Sequence, residues 1–358
     1  MKRRKFLYQS GLGLLATTFP NIIIPKKKES IGVALVGLGY YSRDLLAPAL
    51  QLTKHCHLAG IVTGTPSKIP VWQKKYAIPD NNVYNYQDMH KVADNPSIDV
   101  LYIVTPNGLH LEHAEIAANA GKHVWCEKPM TTTGADAQKM IKTCRKNKVQ
   151  LTIGYRMQHE PNTRKIMEWA SSRPFGKIKS FYAEAGWYNR GGNHWKLRKK
   201  LGGGAMYDMG TYPLNAARYA TGEEPIAITA RHVINRPAIF TEVDETTEFT
   251  LEFKSGLVAE CVTSFGKRVN RLEVTCDKGN YFLEPFQSYT GVRGKTSDGR
   301  LLDAYIENQQ SRQMDDDAKS IIYETAPLVP GEDGLKDMLI IDAIFESAGN
   351  NGQRISLV

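Results

Sequence analysis

An α/β fold is predicted for this chain: a doubly wound parallel sheet, followed by an α+β unit built on a large, mainly antiparallel open sheet. Three observations predict it. Apolar strand-like runs alternate with helix-like stretches between residues 31 and 154. A glycine pair, Gly37 and Gly39, follows directly on the first run. Beyond residue 225, strands succeed one another with short turns between them. Alternating strands and helices are the pattern of parallel sheets, and consecutive strands that of antiparallel ones.

The 358 residues leave room for two domains, and 42% apolar with 23% charged residues is a globular composition. The formal charge of +9 is concentrated at the start, where residues 1–30 hold seven basic side chains against Glu29 alone. No basic face for nucleic acid is indicated. Five cysteines, Cys56, Cys126, Cys144, Cys261 and Cys276, are scattered without C-x-x-C or His pairing at zinc spacing. They point to neither a disulfide framework nor a metal site. Free, mostly buried thiols are the preferred reading, with a Cys261–Cys276 bridge between neighbouring strands as the alternative.

In chain order, residues 1–30 read as an export leader. Lys2-Arg3-Arg4-Lys5 precedes a short apolar stretch over 12–19, and the Arg3-Arg4 pair followed by Phe6 and Leu7 resembles a twin-arginine (Tat) signal. That route passes folded, cofactor-loaded cargo through the Tat export machinery, so a periplasmic protein is expected, anchored to the membrane if the leader stays uncleaved. An ordinary secretory signal is the alternative. The apolar run at 22–24 is too short to span a bilayer.

Residues 31–154 form the first expected domain, with strands at 32–36, 58–62, 100–104, 123–126 and 151–153 and helices at 45–52, 71–76, 113–120 and 135–147. Gly37-Leu38-Gly39-Tyr40-Tyr41-Ser42 matches the first two glycines of the dinucleotide fingerprint G-x-G-x-x-G, with the small Ser42 in third place. The first glycine permits the tight turn, the second lets backbone approach a pyrophosphate, and the next helix N-terminus receives the phosphates. No acidic residue lies between Leu45 and Pro79 to hold ribose hydroxyls. The second strand ends instead in Thr63-Gly64-Thr65-Pro66-Ser67-Lys68, donors suited to a 2′-phosphate, so the cofactor expected is NADP. The next two strands run into Thr105-Pro106-Asn107-Gly108-Leu109-His110 and Glu127-Lys128-Pro129. This is the edge at which doubly wound sheets bind ligands, and proline restricts the backbone of Lys128.

Residues 155–358 form the second expected domain. A helix over 162–170, a strand over 178–185, the triplet Gly202-Gly203-Gly204 and a helix reaching 220 precede strands at 226–234, 246–253, 257–265 and 271–276. The last helix, 334–348, ends at Gly349-Asn350 and is expected to pack back toward the first domain.

Taken together, the G-x-G after the first strand, T-P-N-x-x-H, E-K-P and a glycine triplet before an Asp resemble the Gfo/Idh/MocA oxidoreductase family over residues 31–355. The stretch Leu201–Tyr212, with Trp195-Lys196-Leu197-Arg198 before it, is most similar to the glucose-fructose oxidoreductase branch. The resemblance implies a second domain whose open sheet covers the nicotinamide and forms the face of a homo-oligomer, a dimer or tetramer. It places a catalytic set at Lys128, Asp208 and Tyr212. Cofactor contacts are expected from Gly37, Leu38, Gly39, Tyr40, Thr63, Gly64, Lys68, Thr105, Pro106, Asn107, His110, Glu127, Lys128, Arg156, Trp195 and Lys196. Many relatives carry His where Tyr212 stands, and the tyrosine favours an aldose C1 hydroxyl as substrate.

Those residue types suit that chemistry. A phenol with a reference pKa of about 10 is a poor base at neutrality, and the Lys128 ammonium would favour its phenolate. Asp208, four residues before Tyr212, would orient either group if the segment is helical, against which Pro213 counts. The expectation is an exported NADP-dependent sugar oxidoreductase whose bound cofactor is recycled by a second sugar. The alternatives are an NAD-dependent glycosidase of the same family and a non-catalytic NADP-binding sensor.

Overall fold

The computed structural model describes residues 28–357. The leader motif at Arg3, Arg4, Phe6 and Leu7 lies outside them. Among the described residues no helix is long and apolar enough to cross a membrane.

The continuous apolar runs become a six-stranded sheet of β1 (Ile31–Val36), β2 (Cys56–Val62), β3 (Val83–Tyr84), β4 (Val100–Ile103), β5 (His123–Cys126) and β6 (Leu151–Ile153). The order is β3-β2-β1-β4-β5-β6, with every pair parallel. All six residues of β1 are buried, as a strand covered on both faces requires. Four helical segments cross between strands: α1 (Ala47–Ala49), which continues a π turn over Ser42–Leu46, then α2 (Ile69–Tyr76), α3 (His110–Asn119) and α4 (Gly134–Lys146). Thr133 caps α4 by accepting the Asp136 N–H at 3.1 Å, a bond worth about 1 kcal/mol. Strand order reverses between β1 and β4, which opens a crevice at the carboxyl ends of the strands.

The second sheet is entered through α5 (Pro161–Ser172). It comprises β7 (Ile178–Gly186), β8 (Pro225–Val233), β9 (Thr246–Phe253), β10 (Val258–Ser264), β11 (Val269–Cys276), β12 (Gly279–Leu283), β13 (Gly294–Thr296), β14 (Leu301–Leu302) and β15 (Ile355–Ser356). Their order is β14-β13-β12-β11-β7-β10-β9-β8-β15, and only the β7–β10 pair is parallel. Buried and half-buried residues alternate along β9 and β11, so one face is packed and the other is not. The packed face meets α5 and α6 (Thr211–Thr221) through Phe181, Ala183, Phe249, Leu251, Leu272 and Val274.

Two late helices tie the halves together. α7 (Gln309–Ile322) sends Met314, Ala318 and Ile322 into the cluster formed by Ile31, Val33, Leu35 and Trp125, so it covers a face of the first sheet. Its Asp315 carboxylate accepts the backbone N–H groups of Lys54 and His55 at 2.9 and 2.8 Å. The final helix, α8 (Gly331–Gly349), touches both sheets. Asp342 accepts the Gly134 N–H at 2.7 Å, and Ser347 accepts the Ala230 N–H at 2.8 Å. Beneath it the buried Arg218 of α6 donates to Asp337 at 2.5 Å, Asp333 at 2.7 Å and Glu224 at 2.7 Å.

All five cysteines are free and buried. β7 runs between β10 and β11, so Cys261 and Cys276 are not on neighbouring strands.

Candidate active site

The glycine loop leaves β1 with Gly37 at φ +95°, a conformation that disfavours any side chain, and a Cβ there would meet Val104 and Thr105 at 3.0 Å. At Gly39 a Cβ would meet nothing within 4 Å, so the backbone is open on that side. Ser42 fills the third fingerprint position and donates to the Gly37 carbonyl at 2.5 Å, which locks the loop onto the first helical turn. The open face at Gly39 and the helix N-terminus behind it fit a dinucleotide pyrophosphate. Leu38 is buried, and its carbonyl accepts the Lys68 ammonium at 2.8 Å. Tyr40 is 61% exposed beside the loop. Thr63 takes the Thr65 N–H at 3.1 Å, and the Tyr86 ring closes over Gly64. This rim holds no carboxylate from the second strand, and Lys68 stands at its mouth.

At the end of β4, Thr105 pairs with His113 at 3.0 Å, and Pro106 opens a short turn over Asn107–Leu109. Asn107 donates to the Gly202 carbonyl at 2.7 Å, so it crosses to the second half of the molecule. Gly202 is needed at that crossing because a Cβ would strike Asn107 and Thr132 at 2.7 Å. The His110 ring is fully buried between the carbonyls of Thr105 and Pro129, each at 2.9 Å. Burial holds its pKa down to about 4, so the neutral ring has one N–H and bonds one of these carbonyls; both nitrogens face protein backbone where the sequence reading expected a cofactor contact.

At the end of β5, Glu127 is buried and takes the Tyr102 hydroxyl at 2.6 Å. Burial raises its pKa. Lys128 points across the crevice. Its Nζ donates to the Asp208 backbone carbonyl at 2.5 Å and lies 4.5 Å from the centroid of the Tyr212 ring. Asp208 and Tyr212 share a helical run, a π turn over Met206–Gly210 leading into α6. Pro213 lies inside this continuous run, just after the π turn hands over to α6, and the run passes through it unbroken.

The Asp208 carboxylate is spent elsewhere than expected. It accepts Trp187 Nε1 at 2.9 Å and Lys196 Nζ at 2.8 Å, with Lys196 also over the Trp187 ring and at the edge of Trp195. Burial opposes its charge, but Lys196 and Lys128 outweigh burial and hold its pKa down. Asp208 thus positions Lys128 through its backbone carbonyl, while its carboxylate anchors Lys196. Tyr212 is placed by the same logic. Burial pushes its phenol up, yet the opposing pull of Lys128 and then Arg156 leaves the net shift downward.

Arg156, just beyond β6, is buried and faces Tyr212, Tyr289 and the chain at 288 and 309. Tyr41, from the helix after the glycine loop, approaches Tyr289 with ring centroids 6.0 Å apart. The sequence reading missed Tyr41, Trp187, Tyr289 and Gln309. Only Tyr41, inside the fingerprint, carried a local signal.

A glycine loop shaped to receive a pyrophosphate, a lysine at a strand end and a phenol biased toward ionisation, all around one crevice, fit a dinucleotide-dependent oxidoreductase. Residues 31–155 match the family described as "Oxidoreductase family, NAD-binding Rossmann fold", and residues 163–282 match the "GFO/IDH/MocA C-terminal domain". The chain belongs to the Gfo/Idh/MocA family of NAD(P)-dependent oxidoreductases.

Among solved structures, aldose-aldose oxidoreductase from Caulobacter crescentus is 36% identical with a TM-score of 0.88, covering 92% of this chain and 100% of that one. Among curated relatives, D-xylose 1-dehydrogenase [NADP(+)] of Haloarcula marismortui is 27% identical over 88% of this chain and 90% of its own length. D-glucoside 3-dehydrogenase of Escherichia coli is 24% identical over 91% and 97%.

Proposed function

We propose that this enzyme oxidises the C1 hydroxyl of an aldose with NADP, and that the observation carrying this reading is Tyr212 flanked by Lys128 and Arg156 at the mouth of the glycine-loop crevice. When bound, the nicotinamide supplies the hydride acceptor. This chain's residues manage the proton and the position of the sugar. Tyr212 takes the proton of the C1 hydroxyl as the C–H electron pair leaves, and the product is a lactone. Lys128, held by the Asp208 carbonyl, donates to the substrate oxygen and favours the phenolate that begins the step. Tyr212→Phe is expected to lower turnover roughly a hundredfold or more while cofactor binding persists. Undiminished turnover would remove the tyrosine from the chemistry.

NADP is favoured over NAD by Lys68 and by the missing acid between Leu45 and Pro79. Relatives named D-xylose 1-dehydrogenase and aldose-aldose oxidoreductase support an aldose as the substrate class, and the first also supports position C1. The Arg3-Arg4 pair supports export of the folded enzyme to the periplasm, where no free cofactor pool is expected, so the bound cofactor would be regenerated by a second sugar in the same pocket. Parallel double-reciprocal lines for donor and acceptor without added NADP would support this, and intersecting lines would make the enzyme a simple dehydrogenase. The half-exposed face of the second sheet is the proposed site of self-association, to be measured by sedimentation.

The glucoside relative favours a second reading, oxidation at C3 of a glycoside. Formation of a 3-keto sugar, or release of nitrophenol from nitrophenyl glycosides, would select it over lactone formation.

A further inference from the structure

Arg156 is a buried cation that forms no ion pair with a carboxylate among the described residues. It is 3% exposed, and its guanidinium donates to the Ser288 carbonyl at 2.8 Å, to Gln309 Oε1 and, at 3.5 Å, to the Tyr212 hydroxyl. Its sulfur contact with Met157 is also neutral. A guanidinium cannot shed its proton, and a buried charge is costly unless an opposite charge compensates it. The carboxylates nearby are occupied: Glu127 takes the Tyr102 hydroxyl, and Asp208 holds Lys196 and Trp187. Within hydrogen-bond reach of Arg156, the group able to become an anion is Tyr212.

Deepening the reading of Tyr212 as the base, and resting on it, we propose that Arg156 is the positioning residue that keeps Tyr212 ionisable. It works at the hydroxyl end while Lys128 works over the ring face, and Gln309 of α7 with the Ser288 carbonyl holds it there. The division of labour follows from geometry. Lys128 is committed to the Asp208 carbonyl and to the ring, and in the mechanism its remaining hydrogens go to substrate. Arg156 is tied on its other side to protein acceptors and keeps its charge at the hydroxyl throughout turnover. Its guanidinium also lies 4.7 Å from the Tyr289 ring centroid, so that ring covers one of its faces.

The groups that face Tyr212 are Lys128 and Glu127 from the end of β5, Arg156 from the end of β6, Tyr41 from the glycine-loop helix and Tyr289 from the segment after β12. Asp208 lies one turn before it. Lys128 and Arg156 pull the phenol down, while burial and Glu127 push it up. Removing Arg156 therefore raises the pKa of Tyr212, and the acid limb of activity should move toward higher pH.

The test compares the unmodified enzyme with Arg156→Gln, Arg156→Lys, Gln309→Ala and Tyr212→Phe. The first readout is tyrosinate absorbance near 295 nm during pH titration of the full-length protein without added sugar. Its earliest step should vanish in Tyr212→Phe, move up by about one pH unit or more in Arg156→Gln, and largely return in Arg156→Lys. Gln309→Ala should shift it less, in the same direction. The second readout is the pH profile of kcat/KM with NADP and an aldose, whose acid limb should move in parallel.

An absorbance step that stays in place in Arg156→Gln, with kcat/KM falling equally at every pH, would make Arg156 a packing residue and overturn the proposal. A step that moves equally in Arg156→Gln and Arg156→Lys would also overturn it, since packing and not charge would then be responsible. If Tyr212→Phe keeps full turnover, the base assignment itself falls, a result separate from either outcome at Arg156.

Discussion

Lys68 and Tyr212 mark the two ends of the crevice. Lys68 reaches from the end of β2 to the Leu38 carbonyl, which sets an ammonium at the rim of the glycine loop. Lys68→Glu is expected to weaken NADP roughly ten- to hundredfold, the worth of one charge-assisted bond, while leaving NAD nearly unchanged. Equal loss for both cofactors in a fluorescence titration would refute selection at this position. Gly37 and Lys128, in short motifs at strand ends, and Tyr212, in the helical run after the glycine triplet, could be named from the chain alone. Gln309 could not, because it meets Arg156 across 153 positions and nothing local to either residue announces the contact. His110 shows the opposite failure. A motif histidine looked like a ligand contact, yet both its ring nitrogens face backbone carbonyls.

The elements legible beforehand were those with a clean apolar period. β1, β4 and β9 read directly as strands because burial and hydropathy repeat together. α7 escaped because its inward face carries Gln309, Gln310, Gln313 and Asp317 beside Met314 and Ala318, which reads as a solvated stretch. Those side chains are buried because the segment caps a polar part of the site, where Gln313 donates to Tyr102 at 3.2 Å. The short β12–β15 strands gave too few residues for a period. The α6–α8 junction rests on another polar device, Arg218 with Asp337, Asp333 and Glu224. Asp337→Ala leaves the Arg218 charge without its most buried partner, and a loss of about 3–5 kcal/mol is expected in denaturant melts. A loss under 1 kcal/mol would show that Asp333 and Glu224 suffice.

For the whole molecule, acid should be the weak side. His113 is buried against the Tyr86 ring, and burial holds its pKa down to about 4 from an ordinary 6.5. The unfolded chain therefore takes up this proton first. Stability associated with His113 is fully present above pH 6.5 and is lost as pH falls toward about 4, by on the order of 3 kcal/mol. The melting temperature should fall across that window, and His113→Gln should flatten the fall. An unchanged slope would assign acid sensitivity to other groups.

The five buried, unbridged thiols bear on where this chain can mature. No covalent link has to be made by an oxidant for either sheet to close, and desolvation pushes the buried Cys126 and Cys261 thiols up and away from reactive thiolate. The same folded state is thus reachable in a glutathione-rich interior and in an oxidising exterior. Melting should be indifferent to dithiothreitol, and iodoacetamide should label these sulfurs only once the chain is unfolded. A protein made this way can be finished, and can take up its dinucleotide, in either setting.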